Sequence, residues 1–294
     1  MTRSEIANAL TQSLGTPVDA RSRRRVGGGS ISECWRFESG RGPVFVKIAR
    51  EEEADALAAE AAGLEALRRA EAVRVPKVLG SGRCAEGAFL ALEWIEFGPE
   101  SKSSEALLGE QLAWQHRQTS AQFGWDRDNT IGRTPQPNAW CDDWVAFFRH
   151  RRLGHQLDLA ERNDADSDTV ERGRFLCELL DAFFTSYRPV PSLLHGDLWG
   201  GNCGTDQDGL PVIYDPAVYY GDREADIAMT KLFGGFGHAF YAAYHSTWPL
   251  DAAAGTRSTL YNLYHVLNHY NLFGGGYLQQ ARGMIERLLA ELGH

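Results

Sequence analysis

A chain of 294 residues, 43% hydrophobic with 31 Gly and 11 Pro, has the composition of a folded globular protein, with enough apolar content for one large domain or two lobes. Its formal charge of −9 excludes a general nucleic-acid binder, whose phosphate contacts need a basic surface, yet leaves room for a nucleotide in a locally basic or metal-assisted site. Five scattered cysteines without a Cys-x-x-Cys suit reduced thiols better than a disulfide framework or a zinc site, and no apolar run has signal-peptide or membrane-spanning length; a soluble, cytoplasmic protein with no membrane partner, monomeric or weakly dimeric, is expected.

In chain order, Ile6, Leu10 and Leu14 recur every four residues, as in a short amphipathic helix over 1–14. The basic run Arg21, Arg23, Arg24 and Arg25 reads as a solvated strand edge. Strands are predicted at 34–37 and 43–49, joined by a turn over 38–42. A helix rich in Ala, Glu and Leu follows over 51–70, then short strands at 77–81 and 88–93. The pattern breaks at Phe97-Gly98-Pro99. Beyond it, helices are predicted at 104–119, 140–157, 168–187, 222–245, 257–273 and 277–292, with a strand pair near 193–215. The fold class is therefore α+β and bilobal, a small β-rich lobe over 1–96 and a larger helical lobe over 97–294.

Five places carry chemistry. Val26-Gly27-Gly28-Gly29-Ser30-Ile31-Ser32 is a glycine run whose backbone N–H groups can approach an anion, although alone it is an ordinary flexible hairpin. Lys47, flanked by Phe45, Val46 and Ile48 on a strand, either snorkels to solvent or meets an anion. Glu60 shares the inward stripe of the 51–70 helix with Leu57 and Leu64, so it either pairs with Lys47 or lies solvated at the stripe's edge. His195-Gly196-Asp197-Leu198-Trp199-Gly200-Gly201-Asn202 matches the His-x-Asp-x-x-x-x-Asn catalytic loop of phosphotransferases, in which Asp receives the hydroxyl proton and Asn holds Mg²⁺. A helix-capping loop is the bland alternative for that segment. Finally, a short strand delivers Asp215 thirteen positions after Asn202, where a second Mg²⁺ ligand belongs; Asp before Pro216 is also a common turn starter.

The order of these features, from glycine run to strand-end Asp, is that of a kinase. Phosphoryl transfer is mainly positioning and charge neutralisation, which explains the residue types. No Ala-Pro-Glu follows Asp215, and Tyr219-Tyr220-Gly221-Asp222 turns quickly into a helix, so a small-molecule acceptor is favoured over a protein kinase's substrate.

The sequence resembles the fructosamine kinase family, a branch of the aminoglycoside-phosphotransferase-like group with a protein-kinase-like fold. The residues that carry the resemblance are His195 to Asn202 with Trp199, the run Asp215-Pro216-Ala217-Val218-Tyr219-Tyr220-Gly221-Asp222-Arg223-Glu224, the segment from Phe123-Gly124-Trp125 to Gly132, and Asn268-His269-Tyr270-Asn271-Leu272-Phe273-Gly274. It spans roughly residues 20 to 275. The resemblance implies ATP and Mg²⁺ as cofactors and a ketosamine (ribulosamine or fructosamine) phosphorylated at O3. It implies Asp197 as base, Asn202 and Asp215 as Mg²⁺ ligands, and Lys47 with Glu60 as phosphate anchor. Gly27, Gly28, Gly29, Ser30 and Ile31 would cover the phosphates, and Glu93, Trp94 and Ile95 would form the hinge that receives adenine. On the acceptor side it implies Trp199, His195, Asp222 and His269. Each has a structural alternative: a core indole for Trp199, a core histidine for His269, an N-cap for Asp222. Two other readings stand beside this one, an aminoglycoside or choline-type phosphotransferase and a non-catalytic pseudokinase. Ser30 stands where some relatives carry a loop cysteine, which leaves thiol control without its residue.

Overall fold

The computed structural model describes residues 3–27 and 33–294. Period-two alternation organises the first lobe. On strand β3 (Gly42–Ala49), Val44, Val46 and Ile48 face one way and pack with Ile6 and Leu10 of helix α1 (Arg3–Leu14). Ala49 and the partly buried Phe45 turn to the other face, against Leu57, Leu64 and Leu67 of helix α2 (Ala54–Arg69). Lys47 lies between them in register, so the pleat alone aims it at α2 and the cleft. The antiparallel sheet has the order β1-β2-β3-β5-β4, with β1 Val18–Arg25, β2 Glu33–Ser39, β4 Val78–Cys84 and β5 Gly87–Glu93. Arg21 to Arg25 do lie on its edge strand.

The second lobe starts with α3 (Lys102–His116), capped by Ser101, and continues through the hairpin β6 (Asn129–Ile131) and β7 (Thr134–Gln136). Helices α4 (Trp144–Phe148), α5 (Gly154–Arg162) and α6 (Ser167–Glu178) come next. Two small antiparallel pairs then frame the cleft: β8 (Ser192–Leu194) with β11 (Tyr219–Gly221), and β9 (Cys203–Thr205) with β10 (Pro211–Ile213). Helices α7 (Arg223–Leu232), α8 (His238–Thr247), α9 (Ala254–Phe273) and α10 (Tyr277–Glu291) complete it. One apolar core lies wholly in this lobe, around Phe147, Phe148, Tyr261, Leu267 and Leu288. Another runs through the lobe junction, joining Leu57, Leu64 and Leu90 to Leu112, Leu198, Ile213 and Val218.

Several predicted elements differ from those observed, for local reasons. The 140–157 helix begins only at Trp144, because Asp143 caps it by accepting from Ala146 N (2.7 Å), and it is interrupted by a π-helical turn over Arg149–Leu153. The 168–187 helix tightens into a 3₁₀ segment at Leu180–Phe184. The 222–245 helix is two helices, broken where Gly234 and Gly235 take positive φ. The β6–β7 hairpin was not expected: three-residue strands are too short to show an alternation.

Candidate active site

Lys47 does meet anions. Its Nζ lies 2.8 Å from Glu60 Oε1 on α2 and 2.6 Å from Asp215 Oδ1. Burial alone would lower the Lys47 pKa, but the two carboxylates outweigh it and hold the ammonium above its ordinary range. Burial pushes Glu60 up, Lys47 pulls it back, and the Asp215 charge adds to the rise. Asp215 itself sits at φ 56°, a left-handed conformation uncommon for a non-glycine residue. Its backbone is over-determined from both sides: Tyr214 N donates to Asn202 O (3.0 Å) and Ala217 N to His195 O (2.8 Å).

Asp197 follows β8 in a loop whose shape depends on Gly196. Gly196 has φ 84°, and a Cβ there would collide with the Ala217 carbonyl, so the arginine of protein kinases could not be accommodated. Both carboxylate oxygens of Asp226, on α7, accept from this loop: Oδ2 from His195 N (2.7 Å) and Oδ1 from Gly196 N (2.9 Å). His116 Nε2 is 3.1 Å from the same Oδ2. Burial would raise Asp226, but His116 and the loop's N–H groups outweigh it and keep the carboxylate ionised. Asp226 thus holds the loop that carries Asp197.

Asn202, on the 3₁₀ turn Gly200–Asn202, donates through Nδ2 to Asp197 O (2.8 Å) and to Asp197 Oδ2 (3.1 Å). With its NH₂ thus committed, its Oδ1 is left to point elsewhere. Burial lifts the Asp197 pKa well above the usual carboxylate range; Asn202 offsets part of this, and the Asp215 and Asp226 charges add to it. Asn202 Oδ1 and the Asp215 carboxylate are hard oxygen donors on adjoining segments, a set that suits Mg²⁺, which keeps several waters and takes the rest from phosphate.

Two expected acceptor-side residues are corrected. His195 is 0% exposed: its Nδ1 accepts from Asp197 N (3.2 Å), so Nε2 carries the proton and donates to Tyr214 O (3.0 Å). Burial keeps the ring neutral against the pull of Asp226. Asp222 is also 0% exposed and caps α7, accepting from Glu224 N, Tyr187 Oη and Tyr261 Oη. Both side chains are buried and hydrogen-bond within the scaffold. Trp199 and His269, by contrast, come together through Phe233, a residue the sequence reading passed over. Trp199 lies across the Gly201 backbone and meets Phe233 edge-on (5.9 Å), and Phe233 packs on His269 at 4.9 Å.

At the hinge, Glu93 N donates to Lys77 O (2.9 Å), and its carboxylate takes Arg74 Nη2 (2.7 Å). The Trp94 ring turns outward under Arg36, with Nε1 donating to Glu96 Oε1 (2.6 Å), and Ile95 follows half-buried. Gly27 is exposed beside the end of β1, whereas Gly28, Gly29, Ser30 and Ile31 lie outside the described residues.

The match to known proteins covers the whole of this architecture. The family model described as fructosamine kinase matches residues 2–291. The chain belongs to the fructosamine kinase family. Among curated relatives, a Synechocystis protein named "Probable ketoamine kinase" is 45% identical over 285 residues, 97% of this chain and 96% of its own. The chloroplastic protein-ribulosamine 3-kinase of Arabidopsis thaliana is 42% identical over 270 residues, covering 91% of this chain and 82% of that one. A Haemophilus somnus crystal structure named "Putative fructosamine-3-kinase" superposes with a TM-score of 0.89 at 28% identity, over 98% of each chain. An aminoglycoside phosphotransferase bound to ADP and hygromycin B shares the fold, with a TM-score of 0.67 at 15% identity. The fructosamine kinase chain is thus bilobal and kinase-like, as its sequence implied.

Proposed function

We propose that this chain transfers the γ-phosphate of ATP to the O3 hydroxyl of a ketosamine, the sugar adduct of an amine. The observation that carries this reading is the joining of two separate devices in one cleft: Lys47 held between Glu60 and Asp215, and Asp197 held by Asn202. The curated relatives named for ketoamine and ribulosamine phosphorylation supply the acceptor class. The raised pKa of Asp197 suits a base that accepts the hydroxyl proton as the oxygen attacks phosphorus and the bond to ADP breaks. Asn202 and Asp215 would hold Mg²⁺, which when bound neutralises charge on the β- and γ-phosphates. Lys47 anchors phosphate oxygens, with Glu60 fixing its direction. The hinge backbone at Trp94 and Ile95 would receive the base, since the Glu93 N–H is already committed. Trp199 offers its face to the sugar beside Asp197.

A phosphorylated ketosamine is unstable and releases its amine, so the outcome is repair of glycation. Five scattered cysteines without a Cys-x-x-Cys suit a reducing compartment such as the cytoplasm, and no helix among the described residues is long and apolar enough to cross a membrane. A pseudokinase reading loses ground because Lys47, Asp197 and Asp215 are present and assembled.

The test is ADP release with Mg-ATP against ribulosamine, erythrulosamine and fructosamine, with kanamycin and choline alongside. Turnover on a ketosamine is expected. Turnover confined to kanamycin or choline would keep the kinase and overturn its acceptor.

A further inference from the structure

Exposed large aromatic side chains are uncommon enough that a contiguous run of them calls for an occupant. Trp199, Phe233 and Phe273 are 37%, 38% and 62% exposed, and all three fall on one strip. From the catalytic loop it runs Trp199 to Phe233 (5.9 Å), Phe233 to His269 (4.9 Å), then His269 to Phe273 (5.7 Å) and Tyr277 (5.2 Å). These residues come from the catalytic loop, the end of α7, the last turns of α9 and the start of α10. His269 Nδ1 donates to His265 O (2.8 Å), so in the neutral ring Nε2 carries a lone pair and accepts. The strip therefore presents π faces and one hydrogen-bond acceptor, a surface suited to an organic cation.

We propose that Phe233, His269 and Phe273 bind the protonated secondary amine of the acceptor, with the alkyl group it carries, by cation–π contact. The proposal rests on the ketosamine reading above. In a ketosamine the nitrogen is four bonds from O3. With O3 at Asp197 and the sugar against Trp199, two residues away, the amine is directed along the strip rather than into the nucleotide cleft. Ketosamine recognition then resides in the amine as well as in the sugar, and Phe233 and Phe273 are specificity-determining residues.

The test compares two acceptors under saturating Mg-ATP: 1-butylamino-1-deoxyribulose and 1-O-butylribulose, which differ only in replacing the ammonium by an ether oxygen. Wild type is expected to favour the amine in kcat/KM by about tenfold. Phe233→Leu and Phe273→Leu, which keep apolar bulk and lose the ring, should each narrow that ratio roughly threefold or more, chiefly through KM. Phe233→Tyr should restore it. An unchanged ratio in both leucine variants, with ketosamine turnover retained, would overturn this proposal alone. A wild-type enzyme silent on every ketosamine would overturn the functional reading and this proposal with it. Should Phe233→Leu fail to fold, the more exposed Phe273 carries the comparison.

Discussion

Asp197 is held where a carboxylate is costly. Its pKa is raised by burial and by two neighbouring acids, so between the unfolded value, near 4, and the raised folded value the native state binds more protons than the unfolded chain. Stability is therefore lost as pH rises through that window and recovered as pH falls. Asp197→Asn removes the charge without changing the shape. It should lower kcat by about a thousandfold or more while leaving Mg-ATP affinity within a few-fold. The same variant, free of ligands, should melt higher than wild type at pH 7.5, by about 2–4 °C for each kcal/mol relieved, with the gap closing towards pH 4. Near-normal turnover would remove Asp197 as the base, and a melting temperature equal to or below wild type at pH 7.5 would contradict the burial argument. At this scale the sequence was informative, because Asp197 and Asn202 belong to one short loop and their spacing alone brings them together. His195 and Asp222 came from the resemblance instead, and no local pattern in the sequence says which way a side chain is buried; the N-cap alternative for Asp222 is the one the structure displays.

Elements hold these residues by contacts that cross long stretches of chain. Asp226 is 1% exposed, and each of its oxygens accepts from a loop N–H. In Asp226→Asn one of those N–H groups would face an NH₂, donor against donor. The expected loss is about 2–4 kcal/mol in urea unfolding, with kcat reduced at least tenfold although Asp197 is untouched. Wild-type kcat in that variant would show that the loop needs no such anchor. Because Asp226 is held ionised below its ordinary pKa, its contribution persists above the unfolded value and is lost as pH falls through the folded one. Helix α2 is placed by a second contact: a Cβ on Gly63 would lie 3.1 Å from Val218 Cγ2 and 3.5 Å from Pro216 Cγ. Gly63→Ala should be close to neutral, its better helix propensity offset by that crowding. Gly63→Leu must push α2 away from the Asp215-Pro216 segment and carry Glu60 off Lys47, so the KM for ATP should rise about tenfold while KM for the acceptor moves little. Equal changes in both would point to general unfolding instead. Glu60 was legible in the sequence because the apolar stripe of α2 is a local pattern. Neither the partnership of His116 with Asp226, 110 positions apart, nor that of Phe233 with His269 was, since only the packing of distant helices creates them.

Across the whole molecule, the two lobes are not joined by a single strand of chain. Arg74, between α2 and β4, accepts Ile213 N at its carbonyl (3.0 Å), and its guanidinium bridges Glu93 to Asp206 of the second lobe. At the end of the first lobe, Glu96 O accepts from Gln207 N (3.2 Å). On the front, the β6–β7 hairpin packs against α2. Between these seams the shared apolar core continues from Leu64 and Leu90 into Leu198, Ile213 and Val218. A boundary at 96/97 is natural for the sheet but cuts this core, and composition gave no sign of it, because apolar periodicity reports that a face is buried and not against what. Cutting there exposes Leu57, Leu64, Leu67, Leu90 and Leu92 on one side and Leu112, Leu198 and Ile213 on the other, each worth about 1.5–3 kcal/mol of burial. Together that is comparable to or larger than the net stability of a typical domain. The full chain should therefore unfold in one calorimetric transition whose van't Hoff and calorimetric enthalpies agree, and fragments 1–96 and 97–294 expressed apart should lack cooperative melting. Two resolved transitions, or an isolated first lobe with a sharp melt, would mean that the lobes are independent and that the core between them is an interface.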